Sequence, residues 1–459
     1  MRNKIIKIVL ISLGGLIGLV LLVAAFLAIN HYTYKVDKPE DKITNTTGLV
    51  QASGRALYDK DGNRVQLTGV NAGQILIQEG WMGLFSLDPL KNPDGSYVKD
   101  ADGNIQYPEF SEEEFRAGLK ANPNLAGYDI DELMKYYWEQ FFTEDDFRII
   151  AEDLGLNAIR LPFYYLNIVN EDLTLKSKED AFWYFDWFLS MCKKYNIYCI
   201  LDLHGAPGSQ NGYEHSGFKD RVAGLWTSEA NVNATIAIWD YISEYYTNDK
   251  PELGAVIATY DILNEPTIEY EKTTTKECWD VFDRIYDVIR ENGDNHVITF
   301  EGCWSFAALP NPKKYGWENV QYEYHWYNWF TDFVTYDMFY IFQDMNNIGR
   351  DYDVPVLIGE FTAFEDKEEW EKMFNLFDSR YYSWTVWNYK TCVTGWWTSS
   401  WGAYTIQMKA VTEWDETKCN VLTCTYEEFI ETCNMCRTDS PNSVKSTLYD
   451  VLIDYKNRK

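Results

Sequence analysis

Three observations predict an α/β fold in which eight parallel strands close into a (β/α)8 barrel behind an N-terminal transmembrane helix. Eight short apolar runs alternate with amphipathic stretches whose apolar residues recur every three and four positions, the alternation expected of a parallel barrel. Polar side chains collect at the carboxyl ends of those runs, the face of such a barrel that carries chemistry. The chain has 459 residues, enough for one large unit or two to three ordinary ones, and a barrel of about 250 to 400 residues uses most of it as one.

Taken in order, the first element is the membrane segment. Arg2, Lys4 and Lys7 precede a charge-free run over residues 8–29, which at about 1.5 Å per residue is long enough to cross a hydrocarbon core of roughly 30 Å. Ala24, Ala25 and Ala28 make a poor cleavage site, so residues 1–30 are expected to stay as a signal anchor, with secretion after cleavage as the alternative. The basic end stays in the cytoplasm by the positive-inside rule, which places the rest of the chain outside the cell membrane. Residues 31–50, with Pro39 and mixed charges, read as a linker, and residues 51–459 as a single domain.

A hairpin over 56–58 and 64–67, turning at Asp61-Gly62, is expected to close the barrel bottom. The strand candidates are 65–70, 158–162, 198–204, 256–263, 297–301, 320–325, 354–360 and 384–387. Helices are expected over 144–154, 180–195, 231–246, 275–290 and 367–378. Residues 83–143 form a long polar and aromatic insertion with turn signals at Pro93-Asp94-Gly95 and Asp102-Gly103. No internal repeat of about 20 to 50 residues is evident.

The net charge of -29 and a sequence pI near 4.5 argue against nucleic acid as a partner, because phosphate binding needs a basic stripe. Aromatic residues make up 17% of the chain, with 18 Trp and 34 Tyr; beyond packing, flat rings with polar tips suit the faces and hydroxyls of sugars. Of nine cysteines, Cys192, Cys199, Cys278, Cys303 and Cys392 sit in apolar frames as small core residues. Cys419, Cys424, Cys433 and Cys436 cluster near the end. Their uneven spacing and the absence of a histidine among them favour thiols packed on a helix over 426–436 rather than zinc, and one or two bridges stay open.

The most informative stretch is Tyr260-Asp261-Ile262-Leu263-Asn264-Glu265-Pro266, where an apolar run delivers an Asn-Glu pair and stops at proline. Residues 354–361 run a second apolar strand into Glu360, with Gly359 leaving room beside it. Two carboxyls at two strand ends are the minimum machinery for cleaving a glycosidic bond. Arg160, His204, Asn264, His325, Tyr327 and Trp387 also fall at or just past strand ends, and two strands that independently place a histidine there favour a pocket.

Leu201 to Gly212, reading Leu-Asp-Leu-His-Gly-Ala-Pro-Gly-Ser-Gln-Asn-Gly and followed by Ser216-Gly217, is similar to the exo-β-1,3-glucanase branch of glycoside hydrolase family 5, the cellulase family of TIM barrels. The resemblance covers roughly residues 50–400 and weakens in the insertion after Trp81 and beyond Trp401. It implies a retaining β-glycosidase, with Glu265 as acid/base held at a raised pKa and Glu360 as nucleophile. Their carboxyls should then lie about 5 to 5.5 Å apart. It further implies that Asn264 bonds the sugar 2-hydroxyl, that Arg160 and Tyr327 serve Glu360, and that Trp387 is the platform under the sugar. His204 and His325 would be polar wall residues, Glu79 would hold sugar hydroxyls, and Tyr213 and Phe330 would form an aromatic entrance clamp. Glu214 and His215 depart from the branch's usual Asp and Asn, which alters the entrance.

The expected activity is exo-acting release of glucose from a β-glucan or β-glucoside, with no metal or organic cofactor required. The alternatives are an endo-β-1,4-glucanase or β-mannanase of the same family and, in another class, a surface carbohydrate-binding protein without catalysis. For exo action, Glu79, Trp81 and the insertion, with Phe85, Tyr97 and Tyr107, are expected to wall the pocket.

Overall fold

The computed structural model describes residues 38–99, 106, 108, 110–218, 220–269, 272–303, 308–327, 351–393, 401–407 and 419–459. The expected transmembrane helix at 1–30, the linker as far as residue 37, Tyr107 and Phe330 lie outside the described residues. Among the described residues no helix is long and apolar enough to cross a membrane. Residues 38–50 of the expected linker lie along the hairpin: Arg64 Nη1 donates to the Pro39 carbonyl at 2.8 Å, and Lys42 bridges Asn63.

Eight parallel strands close on themselves: β1 Thr68–Asn71, β2 Ala158–Tyr164, β3 Tyr198–Gly205, β4 Ile257–Asp261, β5 Val297–Glu301, β6 Val320–Tyr327, β7 Val356–Thr362 and β8 Ser383–Val386. Sequence neighbours are barrel neighbours, and β8 returns to β1 with Trp384 opposite Thr68. The first strand starts later than its apolar pattern suggested, because Arg64 and Val65 pair antiparallel with Tyr58 and Leu57. The fourth ends earlier: the chain leaves the sheet after Asp261, and the Asn264 N–H bonds back to the Leu203 carbonyl at 3.1 Å.

The hairpin plugs the amino-terminal end of the barrel, where Val50 and Leu57 pack with Leu67, Ala158, Ile200, Ala258, Val297 and Leu357. Outside run the helices Lys178–Tyr195, Glu229–Glu244, Lys276–Glu291 and Lys367–Arg380. Ser177, Ser228 and Asp366 cap three of them by accepting from the N–H of Asp180, Asn231 and Glu369, satisfying amides that a helix start leaves open.

The insertion is helical in its second half, with helices Glu112–Ala121 and Ile130–Phe141, and it folds together with the end of the chain. Phe85–Ser86 forms a parallel ladder with Cys419–Asn420. Phe85 stacks on Phe429 with centroids 5.4 Å apart, and Tyr128 on Tyr426 at 4.3 Å. Asn122 Nδ2 donates to the carbonyls of Val421 and Cys424 at 3.0 and 2.9 Å. Phe85 therefore belongs to an apolar core between insertion and C-terminal helix Tyr426–Met435 rather than to a pocket wall, and Tyr97 is exposed. All nine cysteines are buried as thiols.

Candidate active site

Arg160, in the middle of β2, organises the carboxyl-terminal face of the barrel. It is wholly buried, so its five donors must all find acceptors within the protein. Nε and Nη2 donate to Asp261 Oδ2 at 2.9 and 2.7 Å, Nη2 to Asn264 Oδ1 at 2.8 Å, and Nη1 to Glu360 Oε1 at 3.0 Å and Asn71 Oδ1 at 3.2 Å. Asp202 lies 3.1 Å from Nη1 and Glu323 3.4 Å from Nε. One guanidinium thus fixes both Glu360 and the amide before Glu265; burial opposes its charge, and the four carboxylates more than restore it.

Glu360 receives its second donor from Tyr327 Oη, 2.7 Å from Oε2, so both carboxylate oxygens are oriented. Gly359 lets this segment approach β6: a Cβ there would fall on the Glu323 carboxyl.

Glu265 sits beyond the end of β4 with φ +42, a left-handed conformation sparsely used by residues other than glycine. Its N–H donates to the buried Glu301 carboxylate, which anchors that conformation. His325 Nδ1 lies 2.7 Å from Glu265 Oε1, and His215 Nε2 lies 3.1 Å from Oε2. Burial pushes the Glu265 pKa up, but the two histidines outweigh it, and the net direction is down. The resemblance implied a raised value for the step in which the bond breaks; here a second histidine, His215, reaches the carboxylate and the direction is downward. His215 itself is raised to about 9, burial being overcome chiefly by the Glu265 carboxylate, with Glu214 next.

One oxygen of Glu265, one of Glu360 and a nitrogen of His325 all lie within 4.8 Å of one another. His325 is the charged bridge between these groups and a buried acidic layer beneath. Its Nε2 faces Glu323 at 3.3 Å and Glu301 at 3.6 Å, and these carboxylates keep it protonated well above its ordinary range despite burial. Within the layer, burial raises Asp202, Asp261 and Glu301.

His204, at the end of β3, is held neutral chiefly by burial. Its Nδ1 pairs with Asp202 Oδ2 at 2.7 Å, which leaves Nε2 as an acceptor 3.5 Å from Asn264 Nδ2. Glu79, 5% exposed in the loop after β1, lies 3.9 Å from His204 Nε2 and accepts from Trp81 Nε1 at 2.8 Å. Burial, with Glu360 and Glu214 nearby, lifts Glu79 to about 8, so at neutral pH it carries a proton to donate.

Trp387 lies face to face with His204, centroids 5.5 Å apart at 11°. It packs with Met82 and Trp401, flanked by Trp81, Tyr327 and Phe364. Trp81 and Trp401 meet edge to face at 5.0 Å. Trp81 thus joins the aromatic cluster around Trp387.

Of the candidate residues, Glu79, Arg160, His204, Asn264, Glu265, His325, Tyr327, Glu360 and Trp387 converge on one face. Tyr213 reaches it indirectly, stacked on His215 at 5.2 Å. The sequence reading placed His215 only at the entrance and left Trp401 and the acidic layer of Asp261, Glu301 and Glu323 without a role. Glu301 had a legible signal, an apolar strand ending in a carboxyl as at Glu360; Trp401 had none.

A family model described as "Cellulase (glycosyl hydrolase family 5)" matches residues 112–392. Among curated proteins, the chain is 30% identical over 285 residues to a β-xylosidase of Phanerodontia chrysosporium, covering 61% of this chain and 52% of that one. It is 30% identical over 238 residues to a probable glucan 1,3-β-glucosidase A of Neosartorya fischeri, covering 50% and 54%. The chain thus spans about half the length of these relatives. Among solved structures, a rutinosidase from Aspergillus niger superposes with a TM-score of 0.52 at 16% identity, over 81% of this chain and 98% of that one, a likeness of fold.

Proposed function

The chain belongs to glycosyl hydrolase family 5, and on that premise we propose that it is a retaining, exo-acting β-glycosidase that releases a β-linked glucose residue from a glucan or glucoside. The observation that carries this reading is the approach of one Glu265 oxygen and one Glu360 oxygen to within 4.8 Å. An inverting enzyme needs about 6.5 to 9.5 Å between its carboxyls to admit water, whereas a nucleophilic mechanism uses about 5 to 5.5 Å.

In this mechanism Glu360, aimed by Arg160 and Tyr327, attacks the anomeric carbon and forms a glycosyl ester as the C–O bond to the aglycone breaks. Glu265 delivers a proton to the departing oxygen. It then takes one from the water that cleaves the ester, so the enzyme is restored and the configuration kept. Asn264, its oxygen held by Arg160, presents its amide N–H groups toward the 2-hydroxyl. Trp387 supplies the apolar platform, and Glu79, with its proton, donates to a hydroxyl distant from the reacting carbon.

In this reading exo action is attributed to Trp81, which bonds Glu79 and packs edge-on against Trp401 beside this constellation. The names of the curated relatives, a β-xylosidase and glucan 1,3-β-glucosidases, agree with an exo enzyme on β-linked neutral sugars. For location, the basic residues before the apolar run at 8–29 support a single-pass anchor with the barrel outside the cell membrane.

Incubating the protein with β-linked gluco-, xylo- and manno-oligosaccharides and following products by proton NMR tests the reading. The expectation is monosaccharide released first as the β anomer. The α anomer appearing first would overturn retention, mixed internal fragments would replace exo with endo action, and binding without cleavage of any substrate would favour a carbohydrate-binding protein.

A further inference from the structure

His215 stands where the family resemblance led to an asparagine, and the structure ties it to the acid/base more firmly than an entrance residue needs. It lies in the short turn Glu214–Ser216, closed by Gly217 at φ +89. Ser216 Oγ meets Ser209 Oγ at 2.7 Å, and Asn211 Oδ1 accepts the Tyr213 N–H at 2.9 Å. Asn211 Nδ2 then lies 3.1 Å from the backbone carbonyl of Glu265 and 3.0 Å from His215 Nε2. The turn is thus fastened to the residue whose side chain His215 faces, Nε2 being 3.1 Å from Glu265 Oε2. Tyr213 lies parallel to the imidazole at 5.2 Å and fixes its plane.

Between Nε2 and Oε2 this arrangement accommodates the proton on either atom without a shift of the heavy atoms. With the proton on nitrogen, Nε2–H donates to Glu265 Oε2, and the Asn211 amide serves the Glu265 carbonyl. With the proton on the carboxyl, Oε2–H donates to the single lone pair of Nε2, and the Asn211 amide again serves the Glu265 carbonyl.

Resting on the reading of Glu265 as acid/base, we propose that His215 is a positioning residue that stores the catalytic proton, holding it on Nε2 at rest and passing it to Glu265 as the glycosidic bond breaks. The proton moves from Nε2 to Oε2 and on to the leaving oxygen, which takes the electron pair of the broken bond. Neutral His215 and anionic Glu265 remain. When water cleaves the glycosyl ester, Glu265 takes a proton from it and returns that proton to Nε2.

The groups facing His215 are Glu265, Glu214, Glu79, Tyr213, Asn211 and the His204 ring, whose centroid is 6.0 Å away. The carboxylates and burial act in opposite directions, with the carboxylates prevailing. His325 holds the other oxygen of Glu265 at 2.7 Å, so loss of His215 leaves the carboxylate in place and changes only its proton supply.

The chain contains five histidines, few enough for each imidazole to be followed by nitrogen NMR in the intact protein. His215 is expected to stay an imidazolium at neutral pH in the wild type and to lose its proton about one pH unit or more lower in Glu265→Gln, about tenfold in its proton affinity. A neutral His215 at pH 7, or the same titration in both proteins, would overturn the proposal. His215→Gln, which keeps an amide donor without a titrating proton, should move the alkaline limb of kcat/KM down by about one unit. It should also slow alkyl β-glucosides about tenfold more than dinitrophenyl β-glucosides, whose leaving group needs little protonation. An unchanged limb with equal losses on both substrates would reduce His215 to a structural role. A wild type that cleaves no β-glycoside would refute the proposed function instead, and the titration would still decide whether the proton rests on His215.

Discussion

Single residues at this site carry a pH dependence that can be worked out with its sign. Folded Glu79 keeps its proton to about 8, against 4.5 for an ordinary glutamate; between those values the folded state binds more protons than the unfolded one, so stability falls as pH rises. His215, raised from 6.5 to about 9, adds stability that is complete below 6.5 and lost as pH rises through 9. Glu265, lowered by its histidines, contributes in the opposite sense, and its share is lost as pH falls below 4.5. Urea unfolding should therefore show a maximum near pH 5 and a decline toward pH 9, and Glu79→Gln should flatten the part between 5 and 8. An unchanged slope in that variant would mean that Glu79 is ionised in the folded protein. At this scale the sequence was informative where a side chain lies at or just past the end of an apolar run, as with Glu265, Glu360 and His204. It was uninformative where a turn folds back across the face, as with His215. The position of His215 depends on Asn211, Ser209 and Ser216 bonding among themselves, and no periodicity encodes that.

Among the elements, β7 illustrates how tightly the barrel face is built. Gly359 lies against the Glu323 carboxyl, and Glu323 is itself held near Arg160 and His325. Gly359→Ala is expected to lower stability by about 1 to 3 kcal/mol through overpacking and to reduce turnover by displacing Glu360. Adding Glu323→Ala vacates the space, so the double variant should lose less than the sum of the two singles. Strict additivity in a urea-unfolding cycle would show that the clash is relieved elsewhere. The strands were legible because each is a short apolar run between turn signals, and seven of the eight began within two residues of the expected place. The exception, β1, was blurred because the apolar pattern of the hairpin runs on into it. The insertion read as a polar and aromatic stretch because part of its apolar surface is covered by residues more than 200 positions away, Phe85 by Phe429 and Gly118 by Val421, beyond any local window.

At the scale of the whole molecule, Lys390 joins three regions. Its side chain is fully buried 3.7 Å from the Asp146 carboxylate, and Nζ donates to the carbonyls of Phe141 and Cys436. The insertion, the end of the barrel and the C-terminal segment thus meet at one ammonium. Lys390→Met should cost about 3 to 5 kcal/mol, since it leaves a buried carboxylate without its cation; a loss below about 1 kcal/mol in urea unfolding would show that Tyr389 and Thr438, which also donate to Asp146, suffice alone. The ladder between Phe85–Ser86 and Cys419–Asn420 also bears on the order of events at the ribosome. Synthesis proceeds from the amino end, and domains generally fold as units. Here an early segment, with Leu84, Phe85, Phe115 and Tyr137 on its apolar side, cannot complete its packing until the last of the chain has emerged. A nascent chain arrested before residue 419 would therefore display that greasy surface to chaperones and proteases, and premature termination near the end would be as damaging to this protein as termination in the middle.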